Sequence, residues 1–213
     1  ELPDRETGPA PAEHAIPRQG AVFYLMLVVL LLGLALRSLT QMTINSYVPK
    51  YEHDLGASAT VYGLVLSAFL ASSAFGGVVG AYVADRVGFR NVLVGSLLLA
   101  AAGLYGYLRI GGLWGYVCLV TGGFAFGPSH TLFLVSGQRR FPGRMATVAG
   151  FLLGFTFVSG SGGSWLMGLI GDQRGLSAVL GVLPPLLLVA AVCGLLAVPS
   201  NRRVAVSAPA SAE

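Results

Sequence analysis

Three polar side chains in the first apolar stretch of this sequence recur every four residues. Arg37, Gln41 and Asn45 occupy positions i, i+4 and i+8, a spacing that places them on one face of a helix. Arginine offers a fixed positive charge and a fork of N–H donors that suits carboxylates and phosphates. The stripe therefore predicts a binding site for an anionic or strongly hydrogen-bonding small molecule. The alternative is an arginine satisfied by backbone carbonyls, or one whose charged end reaches the membrane surface.

A histidine in another apolar stretch is the fourth predicted substrate-binding residue. His130 follows Pro128 by two positions, and the proline has no N–H to bond the carbonyl of Phe124. A histidine here can titrate near neutral pH and relay protons. It can equally be a side chain hydrogen-bonded between helices, and the sequence leaves both interpretations open.

Catalytic, cofactor and metal chemistry find little support in the sequence. The glycine-serine run 159–164 lacks the lysine and the preceding strand of a phosphate-binding loop. Cys118 and Cys193 both lie in apolar stretches and indicate neither a disulfide nor a metal site. No H-E-x-x-H, no G-x-S-x-G and no pair of carboxylates occurs within an apolar stretch. We predict no enzyme activity, no cofactor and no metal.

The composition indicates an integral membrane protein. Only 10% of the 213 residues are charged and 54% are hydrophobic, whereas soluble domains carry about 25% charged residues. Six apolar stretches are long enough to cross a bilayer: 20–48, 58–84, 91–108, 113–137, 145–171 and 176–198. We predict an all-α polytopic fold whose first partner is the lipid bilayer. The net charge of +4 does not indicate nucleic acid, because the basic residues fall in short loops.

Charge and polarity predict how the spans are arranged. Nine of the thirteen Lys and Arg residues lie on the side that holds both ends of the chain, which the positive-inside rule assigns to the cytoplasm. We therefore expect a cytoplasmic linker at 1–19, a transmembrane bundle at 20–199 and a disordered cytoplasmic tail at 200–213. Spans three and six are almost free of polar side chains and should face lipid, whereas the other four should line a cavity.

An internal repeat relates the two halves of the bundle. Alignment of Gly63 with Gly150 superposes the segment 85–88, Asp-Arg-Val-Gly, on the segment 172–175, Asp-Gln-Arg-Gly. Span two therefore matches span five. Each half contains an odd number of spans, so the two three-helix units must have opposite orientations.

The loop after span two carries the most specific motif. The span itself has small residues every fourth position at Ser72, Gly76, Gly80 and Ala84, which predicts close contact with another helix. The motif follows at once and comprises Asp85, Arg86, Gly88 and Arg90. It resembles the cytoplasmic loop motif of the major facilitator superfamily of secondary transporters, roughly G-x-x-x-D-(R/K)-x-G-x-(R/K)-(R/K). Ala81 and Asn91 depart from that pattern.

The resemblance covers residues 20–199 and is to helices seven to twelve, the C-terminal half of the twelve-helix facilitator fold. Two segments, 35–51 and 143–172, are similar to bacterial efflux members of the fosmidomycin-resistance type. The resemblance implies secondary active transport of a small solute by alternating access, with drug or organic-anion efflux as one form. It also implies an inner-membrane location and a partner in the N-terminal six-helix half. The four motif residues would then form a conformational gate.

Other functions fit the same six spans. A passive channel-like facilitator can also contain inverted triplets, and a structural membrane subunit would need no substrate site. The chain begins with Glu and with a polar, proline-rich segment. We therefore expect it to be a fragment that starts in a linker between helices.

Overall fold

The computed structural model describes residues 20–198, and that part of the chain is entirely helical apart from short connections. Each long helix is long and apolar enough to cross a membrane, which confirms the predicted fold class. The predicted linker 1–19 and the tail 200–213 lie outside the described residues. The helices are α1 Ala21–Asp54, α2 Ala59–Val87, α3 Phe89–Ile110, α4 Gly112–Gln138, α5 Met145–Arg174 and α6 Leu176–Ala197, with one 3-10 turn at Pro142–Arg144.

Short connections force consecutive helices to run in opposite directions. Gly88 alone joins α2 to α3 and Gly175 alone joins α5 to α6, with φ angles of 104° and 83°. Glycine suits both turns because it adopts positive φ without a steric penalty. One end of the bundle therefore collects most of the arginines and the other collects tyrosines. We call these the arginine-rich end (Arg86, Arg90, Arg139, Arg140, Arg144) and the tyrosine-rich end (Tyr47, Tyr51, Tyr105, Tyr107, Tyr116).

Helix packing repeats between the two triplets. Helix α2 packs on α4 as α5 packs on α1, and α3 packs on α4 as α6 packs on α1. Helices α3 and α6, the third helices of the two triplets, contact each other. Exchanging the triplets α1–α3 and α4–α6 leaves this pattern of neighbours unchanged, as two three-helix repeats of opposite orientation require.

The small residues of α2 allow its close contact with α4. Gly76, Gly80 and Ala84 are all buried. A Cβ atom added at Gly76 would lie 1.9 Å from the carbonyl oxygen of Phe124, and one added at Gly80 would lie 2.0 Å from the ring of Pro128. The predicted ridge therefore packs directly on the segment of α4 that the proline disturbs. Close packing of this kind stabilises helix pairs in lipid, where no hydrophobic effect drives them together.

The predicted end of the first span needs correction. The first span was predicted to end at Val48, but α1 continues through Pro49 to Asp54. Glu52 therefore belongs to the helix and is buried, although residues 49–57 were predicted to connect spans one and two. The apolar helices α3 and α6 pack on each other, α3 packs on α4 and α6 packs on α1, and both also carry exposed apolar side chains such as Leu99 and Val192.

Candidate functional site

An open recess of about 700 Å³ lies among the four helices that carry most of the polar residues. Helices α1, α2, α4 and α5 all contribute to its wall, as the polarity of the spans predicts. The lining residues that carry polar side chains are Arg37, Gln41, Ser73, His130, Thr131 and Thr156. Three of the four predicted substrate-binding residues are thus brought to one recess.

Arg37 is buried in the middle of α1, with 5% of its surface exposed. Its Nε donates a hydrogen bond to Ser129 Oγ at 3.2 Å, and its Nη2 donates to Gln41 Oε1 at 3.3 Å. The guanidinium carbon lies 4.2 Å from the ring centroid of Phe126, a distance typical of a cation–π contact. Arg37 is therefore held by side chains of α1 and α4 and does not extend to the membrane surface.

Two features of this arrangement leave Arg37 able to bind a ligand. The guanidinium group has five N–H donors, and only two of them are used in the contacts with Ser129 and Gln41. Among residues 20–198 no carboxylate lies within 4.0 Å of the guanidinium group. The ion pair within this range joins His53 to Asp54. A buried positive charge thus faces an open recess with no counter-ion from the described chain.

The predicted polar stripe is a continuous hydrogen-bonded ladder along α1. Gln41 accepts from Arg37 and donates through Nε2 to Asn45 Oδ1 at 3.1 Å. Asn45 does not line the recess. It supports Gln41 from the side of the tyrosine-rich end, so its predicted contact with substrate would be indirect.

His130 lines the same recess from α4 and is half-buried. Its Nδ1 is buried and has no hydrogen-bond partner in the described structure. An unpaired buried polar atom costs free energy, so a ligand that bonded this nitrogen would be favoured. No bond between His130 and another helix is present within residues 20–198, which weakens the interpretation of this residue as interhelical packing alone.

The motif residues of the predicted gate lie at the arginine-rich end. Asp85 and Arg86 are exposed, and Arg86 stacks over the ring of Tyr82 at 4.6 Å and donates to its hydroxyl. Gly88 forms the positive-φ turn, and Arg90 has a buried Nε without a hydrogen-bond partner in the described residues. Asp85 is thus exposed at the end of α2, where a partner could contact it.

The loop between α4 and α5 connects three helices at the same end. The guanidinium of Arg139 lies 4.0 Å from the ring centroid of Phe89, at the start of α3. Arg140 donates to the carbonyl of Ala197 at the end of α6, and partial burial lowers the pKa of its guanidinium group. Neither contact was predicted from the sequence.

Glu52 is a functional candidate that was not predicted from the sequence. This side chain is 3% exposed and accepts hydrogen bonds from Tyr107 on α3 and Tyr116 on α4. The available signal was the concentration of tyrosines near one end of three spans, a pattern that is also typical of a membrane-interface belt. Within residues 20–198 no group of His, Cys, Asp and Glu could hold a metal ion.

Comparison with known proteins shows which family and which relatives this chain is similar to. The model of the Major Facilitator Superfamily matches residues 30–213. The chain is 32% identical over 171 residues to the fosmidomycin resistance protein of Escherichia coli K12, a match that covers 78% of this chain and 41% of that protein. It is 31% identical over 112 residues to YfnC of Bacillus subtilis 168, an uncharacterized MFS-type transporter, covering 53% of this chain and 27% of YfnC.

These matches confirm the resemblance drawn from the loop motif and from the segments in spans one and five. They also agree with the prediction of a transporter-type membrane protein over an enzyme. The chain spans less than half the length of each of the two curated relatives it matches.

Proposed function

The chain belongs to the Major Facilitator Superfamily, and on that premise we propose that it forms one half of a secondary transporter of small organic anions. Its partner is the N-terminal six-helix half of the same transporter. The recess beside Arg37 is the substrate site, and the two halves expose it to each side of the membrane in turn. The observation that carries the proposal is a buried guanidinium group without a counter-ion in the described residues.

Electrostatic attraction to Arg37 favours an anionic substrate. A charged side chain within a membrane is costly, and such residues usually pair with another charge or mark a substrate path. At an effective dielectric constant of about 20, an anion about 4 Å from the guanidinium group is attracted by roughly 4 kcal/mol. The described residues supply no such charge to Arg37, so a substrate anion would provide it.

The neighbouring groups set what the anion could look like. Gln41 and Thr156 add polar atoms to the wall, and His130 adds an unpartnered nitrogen. Phe157 and Met42 supply apolar surface in the same recess. The site therefore suits a small molecule with one acidic group and a compact apolar body.

The charge distribution supports an orientation. Arginines at one end of the bundle belong in the cytoplasm by the positive-inside rule, which would also place both chain termini there. The protein would then be a multi-pass component of the cell's inner membrane. In this orientation Asp85, Arg86, Gly88 and Arg90 face the cytoplasm, where they would act as a gate by contacting the partner half.

A relative's name suggests the first compound to try. One similar protein is named for resistance to fosmidomycin, and efflux is a direct route to resistance. We therefore propose export as the direction of transport, with fosmidomycin as one test substrate. A panel of small carboxylates and phosphonates, each paired with a neutral amide or ester, tests the anion requirement more generally.

The proposal is tested by transport in proteoliposomes that contain the complete transporter carrying this chain. We expect saturable flux of at least one anion in the panel and little flux of its neutral analogue. Arg37→Gln should abolish that flux, whereas Gly63→Ala, at an exposed glycine with open space around it, should not change it. Equal flux in the wild type and in Arg37→Gln would contradict the proposal. Flux that does not saturate would favour a channel.

A further inference from the structure

Glu52 is a buried acidic group that the proposed substrate site does not use. It is the only carboxylate among residues 20–198 that is buried, since Asp54, Asp85 and Asp172 are all exposed. It lies in the last turn of α1, at the tyrosine-rich end and far along the helix from Arg37. A buried carboxylate needs a physical reason for being retained, because burial disfavours the charged form.

Two phenol groups stabilise the charged form of Glu52. Tyr107 Oη donates to Oε1 at 2.5 Å, and Tyr116 Oη donates to Oε2 at 2.7 Å. Because the two tyrosines belong to α3 and α4, the carboxylate joins three helices through hydrogen bonds to both of its oxygens. Hydrogen bonds to a charged acceptor are the strong ones in proteins.

No positive charge compensates Glu52 within the described part of the chain. No Lys, Arg or His nitrogen lies within 4.0 Å of it, and His53 instead faces Asp54 at 3.7 Å. The α1–α2 connection 55–58 and helix α6 carry no charged side chain. The other charged or titratable groups at this end are Tyr47, Lys50, Tyr51, His53 and Asp54 on α1, Tyr62 on α2, Tyr105 and Arg109 on α3, and Asp172 and Arg174 on α5.

A second recess, of about 440 Å³, gives Glu52 a route to water. Glu52, Tyr107 and Tyr116 all line it, together with the glycines of the α3–α4 turn, Gly111 and Gly112. Glu52 is thus buried by protein on most sides but adjoins a space large enough for several water molecules. A proton can reach the carboxylate without crossing the bundle.

The helix segment that carries Glu52 is separated from the rest of α1 by a break in its hydrogen bonding. Pro49 has no N–H to bond the carbonyl of Asn45. The segment from Pro49 to Glu52 is therefore joined to the polar ladder by one backbone hydrogen bond fewer than in an uninterrupted helix. Movement of this segment is opposed by the hydrogen bonds to Glu52 and by the contact of Tyr51 with Tyr107, whose ring centroids lie 6.3 Å apart.

We propose that Glu52 is a proton-binding site whose charge state controls the hydrogen bonds that join the end of α1 to α3 and α4. A hydronium ion in the recess transfers its proton to a carboxylate oxygen and leaves a water molecule. The neutral carboxyl group accepts hydrogen bonds less strongly than the carboxylate, because the bonds from the two tyrosine hydroxyls lose their charge assistance. The attachment of α1 to α3 and α4 therefore weakens. Protonation of Glu52 would thus favour opening of the tyrosine-rich end. The link to transport rests on the proposed function, whereas protonation of Glu52 does not.

Infrared difference spectroscopy tests the protonation directly. The complete transporter, reconstituted in lipid, is acidified, and the carbonyl stretch of protonated carboxyl groups is recorded. We expect a band in the wild type that is lost in Glu52→Gln and kept in Asp54→Asn, which removes an exposed carboxylate two residues away. Tyr107→Phe and Tyr116→Phe should each shift the frequency of the band, because each removes one hydrogen bond to the group.

The readout separates this proposal from the substrate site. The band should be present with or without measurable transport, and it should survive Arg37→Gln. A band that Glu52→Gln leaves unchanged would overturn the proposal. If Glu52→Gln fails to fold, the two tyrosine variants decide the question. A band whose frequency neither of them alters belongs to another carboxyl group, and the proposal is then wrong.

Discussion

Replacement of Gly76 by alanine should separate α2 from α4. The added Cβ atom would lie 1.9 Å from the carbonyl oxygen of Phe124, whereas real Cβ atoms essentially never approach such an atom within 3.0 Å. The two backbones must therefore move apart locally by about 1.1 Å, the difference between those two distances. A carbonyl oxygen cannot rotate away as a flexible side chain would. Close packing along the α2–α4 interface is consequently lost.

The magnitude follows from two opposing effects. Overpacking of a well-packed interior typically costs about 1–3 kcal/mol, and alanine returns about 0.5–1 kcal/mol of helix propensity relative to glycine. We expect the backbone clash to dominate, and Gly76→Ala to lower the free energy of unfolding by about 1–2 kcal/mol. Gly63→Ala on the same helix meets nothing within 4 Å and should leave stability equal or slightly higher.

Equilibrium unfolding in mixed detergent micelles measures both variants under one condition. The purified wild type, Gly76→Ala and Gly63→Ala are compared by the loss of helical circular dichroism. Equal stability of the two variants would show that α2 and α4 are not in the close contact described above. The same result would also mean that α2–α4 packing does not place Ser73 and Gly77 in the wall of the proposed substrate site.

Two further predictions concern the ends of the bundle. Cysteines placed at Arg86 and Arg174 should react with an impermeant reagent from opposite sides of the membrane, and labelling of both from one side would refute the inverted repeat. Arg139→Gln should destabilise the arginine-rich end by about 0.5–1 kcal/mol through loss of its contact with Phe89, because Arg139 is exposed. Exposed Arg144, for which no such contact is found among the described residues, provides the matched control, and equal stability of Arg139→Gln and Arg144→Gln would count against the contact.

Much of the helical architecture was predictable because lipid imposes strict rules. A spanning segment must satisfy its own backbone hydrogen bonds, so long uncharged runs become helices. The small residues at Gly76 and Gly80 predicted a close contact, and the structure shows one with α4. The polar face of Arg37 and Gln41 likewise followed from their spacing, since side chains four residues apart share a helix face.

What the sequence could not supply was tertiary in origin. Pro49 and the charges around it indicated a loop, yet the helix continues to Asp54, and Tyr107 and Tyr116 donate hydrogen bonds to Glu52 in its last turn. Tertiary contacts of this kind override local preference. The partners of Glu52 lie 55 and 64 residues away in sequence, and no local pattern announces such contacts. The bond from Arg37 to Ser129 spans 92 residues and was equally hidden.

The apolar helices illustrate a different limit. Spans three and six have few polar side chains, which predicted exposure to lipid. In the structure α3 and α6 contact each other and pack on the two central helices α4 and α1. Composition cannot distinguish a helix that faces lipid from one that faces other apolar helices, because both environments favour the same side chains.

Equilibrium binding of an anion to the complete transporter tests the central claim most directly. The measurement compares the tightest-binding anion of the panel with its neutral analogue in the wild type, Arg37→Lys and Arg37→Gln. We predict that Arg37→Gln weakens anion binding by at least about tenfold, equivalent to about 1.4 kcal/mol, with little effect on the neutral analogue. Arg37→Lys should be intermediate, because it keeps the charge but loses the planar fork. Unchanged anion affinity in a well-folded Arg37→Gln protein would contradict the account.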